Sequence, residues 1–119
     1  MRALVVDDDV TSCQLLAKIL QREGLETEWT TDSLVGYDMA LRTPYDLYVL
    51  DVRMPGLLGT EFVEGLKDAY PHAKILLISS FADAALRQTA QDLGVALLSK
   101  PFTPAQLLTE ITDVLRGPL

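Results

Sequence analysis

Acidic side chains directly follow two apolar stretches of this sequence. Residues 7–9 are three consecutive aspartates after the apolar run at residues 3–6, and Asp51 comes after the run at residues 47–50. A carboxylate at the border of a hydrophobic core is costly to desolvate, so its presence there indicates a structural or chemical role. Carboxylate oxygens are ligands that Mg²⁺ prefers, and a carboxylate can also act as a nucleophile.

Polar side chains also close two later apolar runs. Ser79 ends the run at residues 74–79, and Lys100 follows the run at residues 96–99. Clustered carboxylates repel one another unless a cation lies among them or some of them take up protons. A divalent cation and a lysine that face an acid and a hydroxyl would form a site for a phosphoryl group.

Each of these residues also has an ordinary structural interpretation. Asp8 or Asp9 can cap a helix that begins at this point, and Asp51 can accept hydrogen bonds from loop N–H groups. Ser79 can be a strand-end hydroxyl, and Lys100 a solvated surface lysine. Their combination at the ends of several runs is what favours a functional interpretation.

The pattern of the whole chain predicts where these residues meet. Four short apolar runs predict strands at residues 3–6, 47–50, 74–79 and 96–99, and residues 27–30 predict a weaker one. Apolar residues at helical spacing alternate with them, within residues 13–20, 33–42, 62–69, 86–93 and 107–115, with Gly117 and Pro118 ending the last helix. This alternation indicates βα repeats and a parallel sheet. A chain of 119 residues is too short for a closed eight-stranded barrel, so the predicted fold is an open, doubly wound α/β sheet.

Composition narrows the class of protein. The length suits one domain, residues 1–119, and the net charge of −7 argues against direct nucleic-acid binding. A single cysteine, Cys13, excludes an internal disulfide and is typical of a reducing compartment. We see no signal peptide and no apolar run near the roughly 20 residues of a membrane span, so a cytoplasmic protein without membrane contact is expected.

Four motifs together carry a resemblance to a known family. They are VVDDD at residues 5–9, VLDVRMPG at 49–56, LLISS at 76–80 and LSKPF at 98–102. In this order and spacing the sequence resembles, over essentially its full length, the CheY-like receiver domain of a bacterial two-component response regulator. The resemblance implies a flavodoxin-like sheet of five strands in the order 2-1-3-4-5, with five helices.

The resemblance also implies roles for the acidic residues. Asp51 resembles the aspartate that accepts a phosphoryl group from a partner histidine kinase or phosphotransfer protein. Asp7 and Asp8 resemble the pair that positions Mg²⁺, while Asp51 and the backbone carbonyl of Arg53 complete the protein's share of the metal ligands. Such a domain is not an enzyme, apart from catalysing its own phosphotransfer and dephosphorylation.

The resemblance also implies roles in a conformational switch that follows phosphorylation. Ser79 resembles the hydroxyl that turns toward the phosphoryl group, and Lys100 resembles the lysine that pairs with it. The Lys100–Pro101 bond resembles one that is usually cis. Leu97 stands where the family often has Tyr or Phe, and we expect it to contribute little to the switch because it offers no ring to rotate.

Partners and alternatives complete the hypothesis. Phosphorylation would alter the surface of the last two helices and the fifth strand, which would control an output domain beyond Leu119 or a separate effector and could support a homodimer. One alternative is a pseudo-receiver that binds proteins without taking phosphate. The other is an Mg²⁺-dependent phosphatase with an aspartyl nucleophile, but Arg53 stands where such enzymes usually have a second acid.

Overall fold

Strands and helices alternate along the chain, as the sequence predicts. The computed structural model describes residues 1–117, and the predicted helix-ending Pro118 lies outside the described residues. The elements are β1 (Arg2–Val6), α1 (Val10–Arg22), β2 (Glu26–Thr30), α2 (Ser33–Arg42), β3 (Leu47–Asp51), α3 (Gly59–Ala69), β4 (Ile75–Ser79), α4 (Ala84–Leu93), β5 (Ala96–Ser99) and α5 (Pro104–Arg116).

The five strands form one parallel sheet in the order β2-β1-β3-β4-β5. The predicted fold class and strand order are therefore confirmed. Val6 lies beside Leu50 of the neighbouring strand, and Asp51 lies beside Ile78 of the next one. This register brings the carboxyl ends of the central strands to one edge of the sheet, where open α/β sheets bind ligands.

Apolar side chains cover both faces of the sheet. Alternate residues of a strand point to opposite faces, so Val5 belongs to a core cluster with residues of α1 and α5, while Val6 belongs to a second cluster with residues of α2, α3 and α4. The largest fully buried side chains are those of Tyr48 and Phe62. Burial on both faces explains why the central strands β1, β3 and β4 read as apolar runs without polar alternation, whereas the edge strand β2 is largely exposed.

Cys13 belongs to the core face of α1, as its spacing predicts. Its side chain is fully buried, and the Sγ–H donates to the carbonyl oxygen of Asp7 at 3.1 Å. Burial, and then the negative charge of Asp7, raise the pKa of the thiol to about 11. The thiol is therefore a core group tied to the end of β1.

Side-chain caps begin four of the helices, and that of α2 is Asp32. Asp9 accepts a hydrogen bond from the backbone of α1, and Asp83 does the same for α4. Thr103 and Gln106 form the predicted capping box at the start of α5. Within residues 1–117, no helix has the length and the apolar character that a bilayer crossing requires.

Several predicted boundaries are off by one to three residues. The strands β1 and β2 each begin one residue earlier than predicted, and β4 begins at Ile75 instead of Lys74. The third strand continues through Asp51, and α3 begins at Gly59, before its apolar stripe. Such errors arise where polar residues occupy the first or last positions of an element, because the apolar pattern does not mark them.

The burial pattern predicts unequal costs for two leucine truncations. We expect Leu77→Ala, in the fully buried fourth strand, to lower the free energy of unfolding by about 2–5 kcal/mol because it leaves a cavity. The matched change Leu15→Ala, at an exposed position of α1, should alter it by less than about 0.5 kcal/mol. Urea denaturation followed by circular dichroism measures both, and equal losses would contradict the assignment of the core.

Candidate functional site

Three carboxylates converge at the carboxyl edge of the sheet. Oxygen atoms of Asp7, Asp8 and Asp51 all lie within 4.8 Å of one another. Asp7 is fully buried and Asp51 nearly so, whereas Asp8 is exposed. Asp9 does not join this cluster, because its side chain caps α1 through the N–H of Thr11. The ordinary structural interpretation is thus the correct one for Asp9.

The ammonium group of Lys100 lies between two of these carboxylates. Its Nζ donates to Oδ2 of Asp7 at 2.9 Å and lies 3.8 Å from Oδ2 of Asp51. The other oxygen of Asp7 accepts the backbone N–H of Asp9 at 3.0 Å. Lys100 is therefore no free surface lysine, since it compensates the charge of a buried acid 93 residues away in the sequence.

Burial and charge perturb the ionisation of Asp51. Burial, and then repulsion from the Asp7 carboxylate, raise the pKa of Asp51 from 3.8 to about 6, although Lys100 opposes that rise. For Lys100, burial acts to lower the pKa, but the hydrogen bond to Asp7 and the charge of Asp51 outweigh it, so its pKa is raised. At neutral pH the site thus holds an ionised Asp51 beside a charged lysine.

Ser79 closes β4 beside the carboxylate cluster. Its side chain is buried, and its Oγ accepts the backbone N–H of Phe81 at 3.0 Å. Its carbonyl oxygen accepts the backbone N–H of Lys100 at 2.8 Å, which ties the end of β4 to the end of β5. The Lys100–Pro101 peptide bond is cis, as the resemblance implies.

The loop after Asp51 returns closely over the end of its own strand. The N–H of Gly59 donates to the carbonyl of Val52 at 2.9 Å. A Cβ at Gly59 would lie 2.5 Å from the backbone oxygen of Asp51, so this close approach requires glycine. Arg53, in the same loop, places its guanidinium carbon 5.1 Å from the centre of the Phe81 ring.

Two residues of this site could not be predicted from the sequence. Ser33, at the start of α2, is buried; its Oγ donates to the carbonyl of Pro55 at 2.6 Å and accepts the N–H of Leu57 at 3.1 Å. It thereby fixes the loop after Asp51 to a neighbouring helix. Phe81, an exposed aromatic residue at the rim, is the second. No local pattern marks either residue, because their partners are distant in the sequence.

Comparison with models of protein families assigns the chain to a family. A family model described as the response regulator receiver domain matches residues 3–112. The chain belongs to this family. It is a receiver domain of the kind found in two-component response regulators, a class that is generally not enzymatic in the ordinary sense.

Curated relatives of this receiver domain are named as transcriptional regulators. It is 31% identical over 117 residues to the probable transcriptional regulatory protein SilR of Salmonella typhimurium, covering 98% of this chain and 51% of that protein. It is 32% identical over 117 residues to the transcriptional regulatory protein CusR of Escherichia coli K12, covering 98% and 52%. The chain spans about half the length of these relatives.

Solved receiver structures share the fold. The chemotaxis protein CheY4 of Vibrio cholerae is 29% identical, with a TM-score of 0.87 and coverage of 95% of this chain and 97% of that one. A CheY-like receiver domain protein of Methanospirillum hungatei is 28% identical, with a TM-score of 0.90 and coverage of 97% and 93%. The likeness thus includes nearly all of both chains.

The charge crowding at Asp51 predicts that neutralising it stabilises the metal-free domain. Its pKa is higher in the folded state, so ionisation of Asp51 lowers wild-type stability as pH rises from about 4 to 6, and this cost persists above pH 6. We expect Asp51→Asn to raise the free energy of unfolding by about 1–3 kcal/mol at pH 7.5, and by little at pH 4.

Chemical denaturation in the presence of a chelator, at both pH values, measures this effect. Asp9→Asn is the matched control, since Asp9 lies outside the cluster and asparagine caps helices about as well as aspartate. A lower stability of Asp51→Asn at pH 7.5 would mean that this carboxylate serves mainly as a structural acceptor of hydrogen bonds.

Proposed function

We propose that residues 1–119 form one receiver domain that takes a phosphoryl group on Asp51. The observation that carries this proposal is the placement of the Asp51 carboxylate at the end of the central strand β3, within the three-carboxylate cluster and 3.8 Å from the ammonium of Lys100. A nearly buried, ionisable oxygen nucleophile beside a fixed cation is suited to attack an electrophilic phosphorus.

The donor set of the cluster fits Mg²⁺. Three carboxylates supply hard oxygen ligands, and the exposure of Asp8 leaves room for the waters that this ion retains. Asp7, Asp8 and Asp51 would hold the ion together with the backbone carbonyl of Arg53. When bound, Mg²⁺ would supply positive charge that neutralises the oxygens of the transferring group.

In the proposed phosphoryl transfer, Asp51 is the nucleophile and Lys100 stabilises the charge of the transferred group. An ionised oxygen of Asp51 attacks the phosphorus of a phosphohistidine on a partner kinase or phosphotransfer protein. The phosphorus–nitrogen bond breaks, and the imidazole keeps its electron pair and takes up a proton. Lys100 stabilises the negative charge on the phosphoryl oxygens. Water later cleaves the acyl phosphate to phosphate and free Asp51, so the domain catalyses only its own reactions.

Phosphorylation would be transmitted through Ser79. Turning its hydroxyl toward the phosphoryl group requires it to leave the N–H of Phe81, in the loop before α4. The affected surface is that of α4, β5 and α5, which would control an output domain or separate effector and offer a homodimer interface. The longer transcriptional regulators among the relatives support an output domain, and we propose a cytoplasmic location.

The carboxylate cluster predicts weak binding of Mg²⁺. We expect chemical shift changes near residues 7–9 and Asp51 at millimolar Mg²⁺, with weak affinity because few protein ligands take part. Asp8→Asn should weaken binding at least tenfold, whereas the matched variant Asp9→Asn should not change it, since Asp9 caps α1. Nuclear magnetic resonance titration of amide signals measures both, and equal affinities would contradict the assignment of ligands.

Phosphorylation of Asp51 is the central prediction. Acetyl phosphate with Mg²⁺ should add one phosphoryl group per chain, detected by intact-mass spectrometry. Asp51→Asn should abolish the label, because an amide is a poor nucleophile. Lys100→Ala should retain Mg²⁺ binding but respond less to phosphorylation. A label that persists in Asp51→Asn, or that forms equally in chelator, would show that the acceptor is another group.

The same preparation distinguishes the two alternatives. A pseudo-receiver would take no label under any of these conditions. A phosphatase would release many equivalents of phosphate from simple phosphate esters in a steady-turnover assay. We expect no sustained turnover, in keeping with Arg53 two residues after Asp51, where a general acid would be needed.

A further inference from the structure

Two side chains at the rim of the site form a pair that phosphotransfer itself does not use. The guanidinium carbon of Arg53 lies 5.1 Å from the ring centre of Phe81, a cation–π contact. Phe81 is 58% exposed, although aromatic side chains usually bury their surface. Among residues 1–117, Arg53 takes part in no ion pair with a carboxylate. The ring is thus the partner that the structure gives this cation.

We propose that the Arg53–Phe81 pair is the aromatic element of the switch: it is closed while Asp51 is free and opens when Asp51 is phosphorylated. The inference rests on the proposed phosphorylation of Asp51. It assigns to Phe81, in the loop before α4, the conformational change that has no aromatic side chain available at Leu97 in β5.

The first coupling runs through Ser79. Its buried Oγ accepts the backbone N–H of Phe81 at 3.0 Å, which fixes the start of the loop that carries the ring. A hydroxyl that turns toward a phosphoryl group on Asp51 gives up this bond, and Phe81 loses the acceptor of its N–H. The backbone of Phe81 is then released in the same step that Ser79 moves.

The second coupling is electrostatic and acts on Arg53. This residue lies two positions after Asp51, on the loop that Gly59 and Ser33 hold close to the strand end. A phosphoryl group offers charged oxygens to the guanidinium, and charge-assisted hydrogen bonds are stronger than an exposed cation–π contact. Phosphorylation therefore attracts the guanidinium away from the ring in the same step in which Ser79 releases the backbone N–H of Phe81.

A movement of Phe81 can reach the start of α4 through the short loop that joins them. Asp83, two residues later, caps α4 by accepting the N–H of Leu86 at 2.8 Å. A movement of Phe81 therefore shifts the start of α4 and leaves an aromatic side chain exposed beside it. The activated domain would present this ring at the α4 end of the surface formed by α4, β5 and α5.

Ring-current shifts of arginine side-chain protons test the proposal. In the free protein, the Arg53 protons should lie upfield of their positions in Phe81→Leu. Beryllofluoride with Mg²⁺, used as a phosphoryl mimic, should reduce this difference at least twofold. The chain contains a matched control, since Arg2 lies 4.8 Å from the ring centre of Tyr45. The difference between wild type and Tyr45→Leu at Arg2 should not change.

Fluorine nuclear magnetic resonance on the same samples shows whether beryllofluoride is bound. It therefore tests the proposed phosphorylation of Asp51 separately from the opening of the Arg53–Phe81 pair. A bound beryllofluoride signal together with an unchanged Arg53 shift would overturn the inference and leave the proposed function standing. No bound signal would overturn both. Ser79→Ala tests the hydroxyl coupling, since its Phe81 amide signal should already be displaced in the free protein and should respond less to beryllofluoride. A response equal to wild type would refute that coupling.

Discussion

The site depends on the ion pairs that the ammonium group of Lys100 forms with Asp7 and Asp51. Asp7 is fully buried and Asp51 nearly so, and two carboxylates in such surroundings repel each other strongly unless a cation lies between them. Lys100 supplies that charge from the end of β5, at 2.9 Å from one carboxylate and 3.8 Å from the other. The sheet must bring the ends of β1, β3 and β5 within reach of one side chain, so strand order and register are conditions of the chemistry.

Much of this arrangement could be predicted from the sequence, for a physical reason. Parallel strands buried on both faces appear as apolar runs, and the polar residue that ends each run, such as Asp51, must lie at the sheet edge. The separate roles of residues 7–9 could not be predicted from the residues alone, because either Asp8 or Asp9 can cap a helix; only the family resemblance singled out Asp7 and Asp8. The contacts of Ser33 and Phe81 were missed since they join segments that no local pattern relates.

Rigid and responsive parts of the site are separate. Asp7, Asp51 and Ser79 belong to strands or their ends and are buried, so packing fixes their positions. Arg53 and Phe81 lie on exposed loops, and the cation–π contact that joins them is one of the weaker interactions of the molecule. We therefore expect a perturbation at Asp51 to displace the loops at the rim more readily than the sheet.

The burial of Cys13 gives the protein a built-in reporter of core opening. The thiolate is the form that attacks alkylating reagents, and burial and the raised pKa both suppress this reaction. In the folded state the sulfur is fully buried and donates a hydrogen bond to the backbone carbonyl of Asp7, whose side chain belongs to the carboxylate cluster. Alkylation therefore requires α1 to separate from β1, and its rate measures how often that separation occurs. A ligand that tightens the cluster in front of Cys13 would protect a sulfur that it never touches.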